Sequence, residues 1–304
     1  MYAMQKFLLL LTFFVLIAVA SYAQMDPLYA QYLNNPLTIN PAYTGINNDL
    51  NVSVTYRKQW AGFDGSPSTI NASSHTSLPN KNMGVGLLIV QDKIGANKNT
   101  EVHATYAYKL SLGHAYLSLG LQGGFISFKS NDGLNPYDSN DPAFTTSQNT
   151  TRPSFGAGVI LKSERYFFGI SAPRLLNENA TTGSTQTSLY SQHFYGMMSY
   201  LLYVSETVRF KPSILIRGVK GAPLSVDYNA SFVFDQRYTV GVYTRNLNAY
   251  GFLTQLKFGK GYRFGYTFEV PGNNSVGTRF TTHEVTLGLN VAAFRGQNAA
   301  ISNF

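Results

Sequence analysis

A strict alternation of apolar and polar residues constrains this chain more than any other feature, and it is clearest over residues 262–269. Positions 262, 264, 266 and 268 are Tyr, Phe, Tyr and Phe, whereas the alternate positions include Arg263 and Glu269. Successive side chains of an extended strand point to opposite faces. The stretch is therefore predicted to be a β-strand with one aromatic face, and residues 224–235, 251–259 and 284–291 follow the same pattern.

Two environments suit such strands. A transmembrane β-barrel turns its apolar face to lipid and its polar face to the lumen, whereas a soluble β-sandwich turns its apolar face inward. In a membrane, the reversed orientation would place Arg263 against hydrocarbon at a cost of about 2–4 kcal/mol. The aromatic face is therefore predicted to point outward if a membrane is present, and alternation alone leaves the sandwich open.

Composition favours the membrane. Only 12% of the 304 residues are charged, against roughly 25% in soluble globular domains. Tyr and Phe number 21 each, and Gly 27, which suits aromatic girdles and closely paired, curved strands. The net charge of +8 comes from scattered Lys and Arg, so nucleic-acid binding is not predicted, and attraction to anionic lipid or an acidic partner fits better.

Residues 1–23 are predicted to be a secretory signal peptide. Lys6 precedes an apolar run at 7–20, and the small residues Ser21 and Ala23 precede a cleavage position before Gln24. The run is too short to span a bilayer comfortably, although an N-terminal anchor is the alternative. No later apolar run is long enough for a helix span, so strands must embed the chain if it lies in a membrane.

Fourteen strands are predicted, an even number as bacterial outer-membrane barrels require. They lie at 49–60, 67–78, 83–92, 100–110, 114–129, 153–162, 165–173, 190–203, 207–218, 223–234, 237–245, 250–258, 262–270 and 282–291. The predicted fold class is an all-β, transmembrane antiparallel β-barrel over residues 49–294, followed by a tail at 295–304.

The connections between these strands sort by parity. Every other connection is a tight turn, whereas the alternate set holds the long ones, at 61–66, 93–99, 130–152, 174–189 and 271–281. Outer-membrane barrels have short periplasmic turns and longer extracellular loops, and a sandwich has no reason to sort its loops in this way. The pattern favours the barrel and places both termini in the periplasm.

Two sets of residues with structural roles are predicted, aromatic residues at the strand ends and charged residues on the polar faces. Girdle anchoring is predicted for aromatic residues near the outer rim (Tyr56, Trp60, Tyr243 and Tyr250) and the periplasmic rim (Tyr166 and Tyr203). The lumen is predicted to hold charged residues that pair with one another, chiefly Arg217, Asp227, Arg263 and Glu269. An anion-selective conduit is the functional alternative.

Catalytic signals are weak throughout. The five His residues lack zinc-site spacing, Cys is absent, and no Gly-x-Ser-x-Gly motif occurs. Glycine-rich pieces lie inside strand patterns, where a nucleotide loop does not form. The chain is predicted not to be an enzyme and to bind no cofactor or metal.

Residues 24–48 are predicted to form an irregular extension with three prolines, either a linker or a segment that packs into the barrel mouth or meets a partner. Within them, NPLTINPAYTG (35–45) resembles the opening signature of the PorP/SprF family. Further markers of that family follow in order: YRKQWAGF (56–63), NKNMGVG (80–86), DKIG (92–95), DPAF (141–144), GISAPRLLN (169–177) and VKGAPLSVD (219–227).

The resemblance implies an outer-membrane barrel of the type IX secretion and gliding-motility machinery. Its implied partners are periplasmic and outer-membrane secretion proteins and, for some members, large surface adhesins. Candidate docking residues are Pro36, Asn40, Pro41, Tyr43 and Gly45. The alternative function is solute transport by a porin-like barrel, which the basic lumen keeps open.

Overall fold

The computed structural model of the protein describes residues 30–79, 82–130, 149–176, 178–182, 185–190, 192–219, 222–272 and 279–292. The predicted signal peptide at 1–23 and the predicted tail at 295–304 lie outside these ranges, as does most of the loop predicted at 130–152.

Fourteen antiparallel strands close into a barrel, which confirms the predicted fold class. They are β1 (Leu50–Lys58), β2 (Ser68–Ser77), β3 (Met83–Ile94), β4 (Asn97–Leu112), β5 (Ala115–Ser130), β6 (Asn149–Ser163), β7 (Tyr166–Arg174), β10 (His193–Tyr200), β12 (Val208–Val219), β13 (Ser225–Phe234), β14 (Tyr238–Arg245), β15 (Ala249–Phe258), β16 (Tyr262–Pro271) and β17 (Thr282–Val291). Each of these strands pairs with the next one in the chain, so that β10 lies between β7 and β12. The last strand, β17, pairs with β1 and closes the cylinder.

Three short strands complete the sheet structure. β8 (Glu178–Thr182) and β9 (Thr185–Tyr190) form a separate hairpin between β7 and β10. β11 (Leu202–Tyr203) continues β10 toward β12, so the strand predicted at 190–203 is divided at Leu201. Leu201 is buried, and its N–H donates to the carbonyl of Arg165.

Connections at one end of the barrel are short, as at 113–114, 164–165 and 259–261, and the other end carries the long ones, including 59–67 and 272–281. One predicted long loop is wrong. β3 and β4 extend beyond their predicted ends and are joined by Gly95 and Ala96 alone, and Gly95 has the positive φ of 57° that such a tight turn requires.

The outer wall is apolar along the strands. Leu121 is 60% exposed and Leu287 and Val242 are similarly accessible, whereas a water-soluble barrel would cover such side chains. Tyr56, Tyr166, Tyr203 and Tyr250 also lie on the exposed side near strand ends. Trp60 follows β1 in the connection at 59–67, half-buried.

Among the described residues, no helix combines the length and hydrophobicity that a membrane-spanning helix needs.

The inside of the barrel is polar and almost fully buried. Ser53, Thr55 and Asn71 are typical, each with about one-hundredth of its surface exposed. The usual arrangement of a globular protein is therefore inverted, with the polar faces of the strands inside, as period-two strands in a lipid-facing cylinder require.

The plugged lumen as candidate functional site

The segment before β1 lies inside the barrel and fills it. It forms three 3₁₀ turns, at Ala30–Leu33, Pro36–Thr38 and Pro41–Tyr43. Pro36 and Pro41 each occupy the first position of a turn, where a missing N–H costs nothing. The carbonyl oxygen of the Asn40 side chain accepts from the N–H of Ala42 at 2.9 Å and caps the third turn. We refer to residues 30–49 as the plug.

Barrel side chains satisfy the plug backbone, which has no strand partner of its own. Ser171 donates to the carbonyl of Ile39 at 2.6 Å, and Ser118 to that of Ala42 at 2.7 Å. In the other direction, the Asn40 amide lies 3.2 Å from two strand carbonyls, those of Val159 and Ile170. Buried backbone groups need such partners, so the small polar residues inside β5 and β7 hold the plug in one place.

The end of the barrel with the short turns corresponds to the periplasmic side of such barrels, and the end with the long connections to the extracellular side. The periplasmic half of the plug carries an apolar cluster. Tyr43 meets the ring of His75 edge-on, with centroids 5.6 Å apart, and the ring of Phe167 at 6.4 Å. Leu37, Ala42, Ile46 and Ile160 complete the cluster. Next to it, the N–H of Gly45 donates to His75 Nδ1 at 3.1 Å, and Lys109 donates to the Gly45 carbonyl at 2.7 Å.

These contacts correct the docking prediction. Pro36, Asn40, Pro41, Tyr43 and Gly45 are all buried within the barrel. Their turn-forming chemistry serves a segment that packs against the inner wall, so a periplasmic protein cannot reach them in this arrangement.

Glycines on the inner wall let the plug approach closely. A Cβ at Gly120 would overlap the backbone of Ala42, and one at Gly84 would lie 2.8 Å from the Thr44 carbonyl carbon. Backbone atoms cannot rotate away as a side chain can. Plug and wall are therefore fitted to each other at main-chain distance.

A network of buried charges lies at the extracellular half of the lumen. Arg57 lies 3.5 Å from Glu284 and 3.6 Å from Glu269, and Arg245 lies 3.2 Å from Glu269. Arg245 also lies 3.1 Å from Asp227. Strand register creates two of these pairs, because Arg57 is directly opposite Glu284 and Asp227 directly opposite Arg245.

Two tyrosines extend this network. Tyr243 donates to Glu269 at 2.9 Å, and Tyr32 of the plug lies 3.4 Å from Asp227. The girdle prediction is thus wrong for Tyr243, whose side chain is 4% exposed and points inward. The alternation of the strand already indicates that Tyr243 points inward, because residues 243 and 245 lie on the same face and Arg245 is a charged residue.

A second polar group lies on the opposite wall. Arg174 and His103 both contact the carboxylate of Glu101, and Thr69 donates to Asp92. A cavity of about 40 Å³ borders this group, and its lining includes Thr38 of the plug and Gln122 of the barrel wall. Its size and lining suit a few water molecules.

The structure separates the four predicted lumen charges into two groups. Arg217, Asp227 and Glu269 are buried in the extracellular half. Arg263 is the second residue of β16, at the periplasmic end, and interacts electrostatically with Asp49 of the plug. Asp49 precedes the first spanning strand, and burial raises the pKa of its carboxyl against the lowering effect of the Asn290 amide, which donates at 3.1 Å.

The family is settled by comparison with family models. The model described as "Type IX secretion system membrane protein PorP/SprF" matches residues 21–289. The chain belongs to the PorP/SprF family. The PorP/SprF match covers the whole plug and nearly all of β17, so the plug belongs to the family region as much as the barrel does. As a PorP/SprF barrel, the protein resides in the outer membrane, as predicted.

Solved structures similar to this PorP/SprF chain are outer-membrane barrels. Omp33 of Acinetobacter baumannii has 9% identity and a TM-score of 0.46, with 82% of this chain and 99% of that chain covered. The toluene transporter TodX of P. putida has 10% identity and a TM-score of 0.46, with coverage of 84% and 92%. The KdgM porin has 11% identity and a TM-score of 0.35, with coverage of 79% and 98%. No curated protein matches the chain.

Proposed function

We propose that this barrel is an outer-membrane anchor of the type IX secretion and gliding machinery, which docks periplasmic partners and helps large adhesin-type cargo reach the surface. The observation that carries the proposal is the filled lumen. A conduit needs a water-filled path, yet the plug crosses this interior from Asp49 to Tyr32 and its residues are nearly all buried. Function is then expected at the rims of the cylinder, with cargo passing elsewhere in the machinery.

The periplasmic rim offers a docking surface at the adjacent turns 164–165 and 204–207. Val204, in the second turn, is 63% exposed. The guanidinium carbons of Arg165 and Arg209 lie 5.4 Å and 5.0 Å from the centre of the Tyr203 ring. Exposed apolar and aromatic side chains flanked by Arg are typical of interaction hot spots. This surface replaces the buried residues 36–45 as the proposed contact with periplasmic proteins.

Photo-crosslinking tests the docking surface. A photoreactive amino acid at Val204 or Glu206 is expected to crosslink to periplasmic proteins of the machinery in living cells. The matched control is the same amino acid at Leu121, on the lipid-facing wall, which is expected to give no protein adduct. Failure at both rim positions, with the barrel correctly inserted, would remove this surface from the proposal.

Gene deletion tests the secretion role itself. Loss of the barrel is expected to abolish secretion or surface display of particular large proteins, and the wild-type gene is expected to restore it. Surface-protein profiling by mass spectrometry of washed cells measures the effect. An unchanged profile together with lost uptake of a small solute would favour the transport alternative.

A further inference from the structure

Three lysines form a row on the outer surface of the barrel near its extracellular rim. Lys93 of β3 is directly opposite Lys98 of β4, and Lys98 is directly opposite Lys129 of β5. All three are exposed, while the neighbouring inward positions Asp92 and Glu101 are buried. The alternation of the strands therefore places the three ammonium groups together on the membrane side of the wall.

Such a row is electrostatically unfavourable by itself. Like charges directly opposite each other on one face of an antiparallel sheet destabilise it. Within the part of the chain that the structure describes, no carboxylate forms an ion pair with Lys93, Lys98 or Lys129. Within the described ranges this repulsion is left uncompensated, and an anion bound at the row would relieve it.

The lysine row also lines a cleft. Its volume is about 290 Å³, and Ser68, Ile70, Gln91 and Ala96 complete its lining. This space is large enough for a phosphate and part of the sugar that carries it, and it opens outward from the barrel wall.

Below the row, the wall becomes apolar in two steps. Two residues deeper along the strands, about 7 Å, the positions opposite one another are Ile70, Gln91, Thr100 and Ser127. Two residues deeper again they are Ala72, Ile89, Val102 and Phe125. Tyr56, directly opposite Ile70, marks the level of an interfacial aromatic girdle. From the rim inward, the rows are cationic, then polar, then apolar, which is the order of polarity along a lipid from its headgroup to its acyl chains.

We propose that this cleft binds the phosphate-bearing headgroup of a glycolipid in the outer leaflet. The ammonium groups donate to the phosphate oxygens, the hydroxyl and amide of Ser68 and Gln91 contact the sugar, and the acyl chains lie on the apolar rows. The site requires the barrel and its membrane orientation, and it stands apart from the secretion role.

Native mass spectrometry of the detergent-purified barrel with added lipid A tests the site. Wild-type protein is expected to retain one bound lipid A, and the variant Lys93→Gln/Lys98→Gln to bind it at least tenfold more weakly. The matched control is Arg237→Gln/Lys260→Gln, which removes two exposed charges from turns at the opposite end and is expected to bind like wild type. Equal weakening by both variants would show that net charge, and no particular site, attracts the lipid.

Two further arms identify the ligand and guard against misfolding. Dephosphorylated lipid A is expected to bind wild type as weakly as lipid A binds the lysine variant, and equal binding of both lipids overturns the headgroup proposal. Inorganic phosphate at millimolar concentration should fail to displace lipid A, whereas displacement would assign the cleft to free phosphate. In lipid-free detergent, the lysine variant is expected to melt no lower than wild type, because it loses only repulsion; a lower melting temperature there would show a structural role instead.

Discussion

Deleting residues 30–46 is expected to turn a closed barrel into a conducting one, with conductance in planar bilayers at least about tenfold above wild type. Barrel diameter grows with strand number, and fourteen strands lie between the eight that side chains alone can fill and the sixteen to eighteen of open porins. Here the plug supplies the missing filling. Without it, the lumen admits water and ions.

The emptied pore is also expected to prefer anions. Lys109, Lys162, Lys211 and Lys257 face the periplasmic half of the lumen, and Lys109 and Lys162 now donate to plug residues Gly45 and Asn47. Rings of basic side chains favour anions in a pore. Reversal potentials in a salt gradient measure this preference, and cation selectivity would contradict it.

A single methyl group provides a milder version of the same experiment. Gly120→Ala places a Cβ against the backbone of Ala42, whereas Gly196→Ala places one where no atom lies within 4 Å. The first variant is expected to leak and to lose on the order of 1–3 kcal/mol of stability, and the second to behave like wild type. Heat-modifiable migration in gels verifies folding.

The deletion of residues 30–46 has a contradicting outcome of its own. If the deletion variant folds and its conductance stays as low as that of wild type, the plug does not seal the lumen.

Arg57→Met is expected to cost about 3–5 kcal/mol in the free energy of unfolding. Arg57 and Glu284 are each 1% exposed, and Glu269 shares the same guanidinium. Removing the cation leaves two carboxylates close together in a buried site without their common partner. Urea unfolding in lipid vesicles measures the loss, with the single Trp, Trp60, as the fluorescent probe.

Two variants make this result specific to the buried network. Lys58→Met changes the adjacent residue, whose ammonium donates to the carbonyl of Ser66 at 3.0 Å in a partly buried contact, and is expected to cost less than about 1 kcal/mol because a single hydrogen bond that water can reach contributes little. Arg57→Met/Glu284→Met removes both partners and is expected to recover much of the loss. If Arg57→Met cost no more than Lys58→Met, the network would not be a major source of stability.

Errors in the sequence-based prediction have identifiable physical causes. Residues 93–99 look like a loop because strands that rise above the acyl chains to headgroup level lose their apolar face, yet the backbone there continues to pair up to Ile94 and from Asn97. Tyr243 was assigned to a girdle by its aromatic side chain and its place near a strand end, although its face is that of Arg245. The sequence does not single out Glu284, because nothing local to it indicates its partner Arg57 on another strand.

The sequence by itself determined most of the strands and their inward and outward faces, because alternation with period two is a local property and only one face tolerates lipid. Tertiary structure alone decided where the plug lies and which charges meet. The plug has no periodicity, so its position follows from the shape of the lumen that the wall glycines and serines leave for it. Asp227, Arg245, Glu269, Arg57 and Glu284 come from five strands, and only closure of the sheet at one register brings them to the same depth.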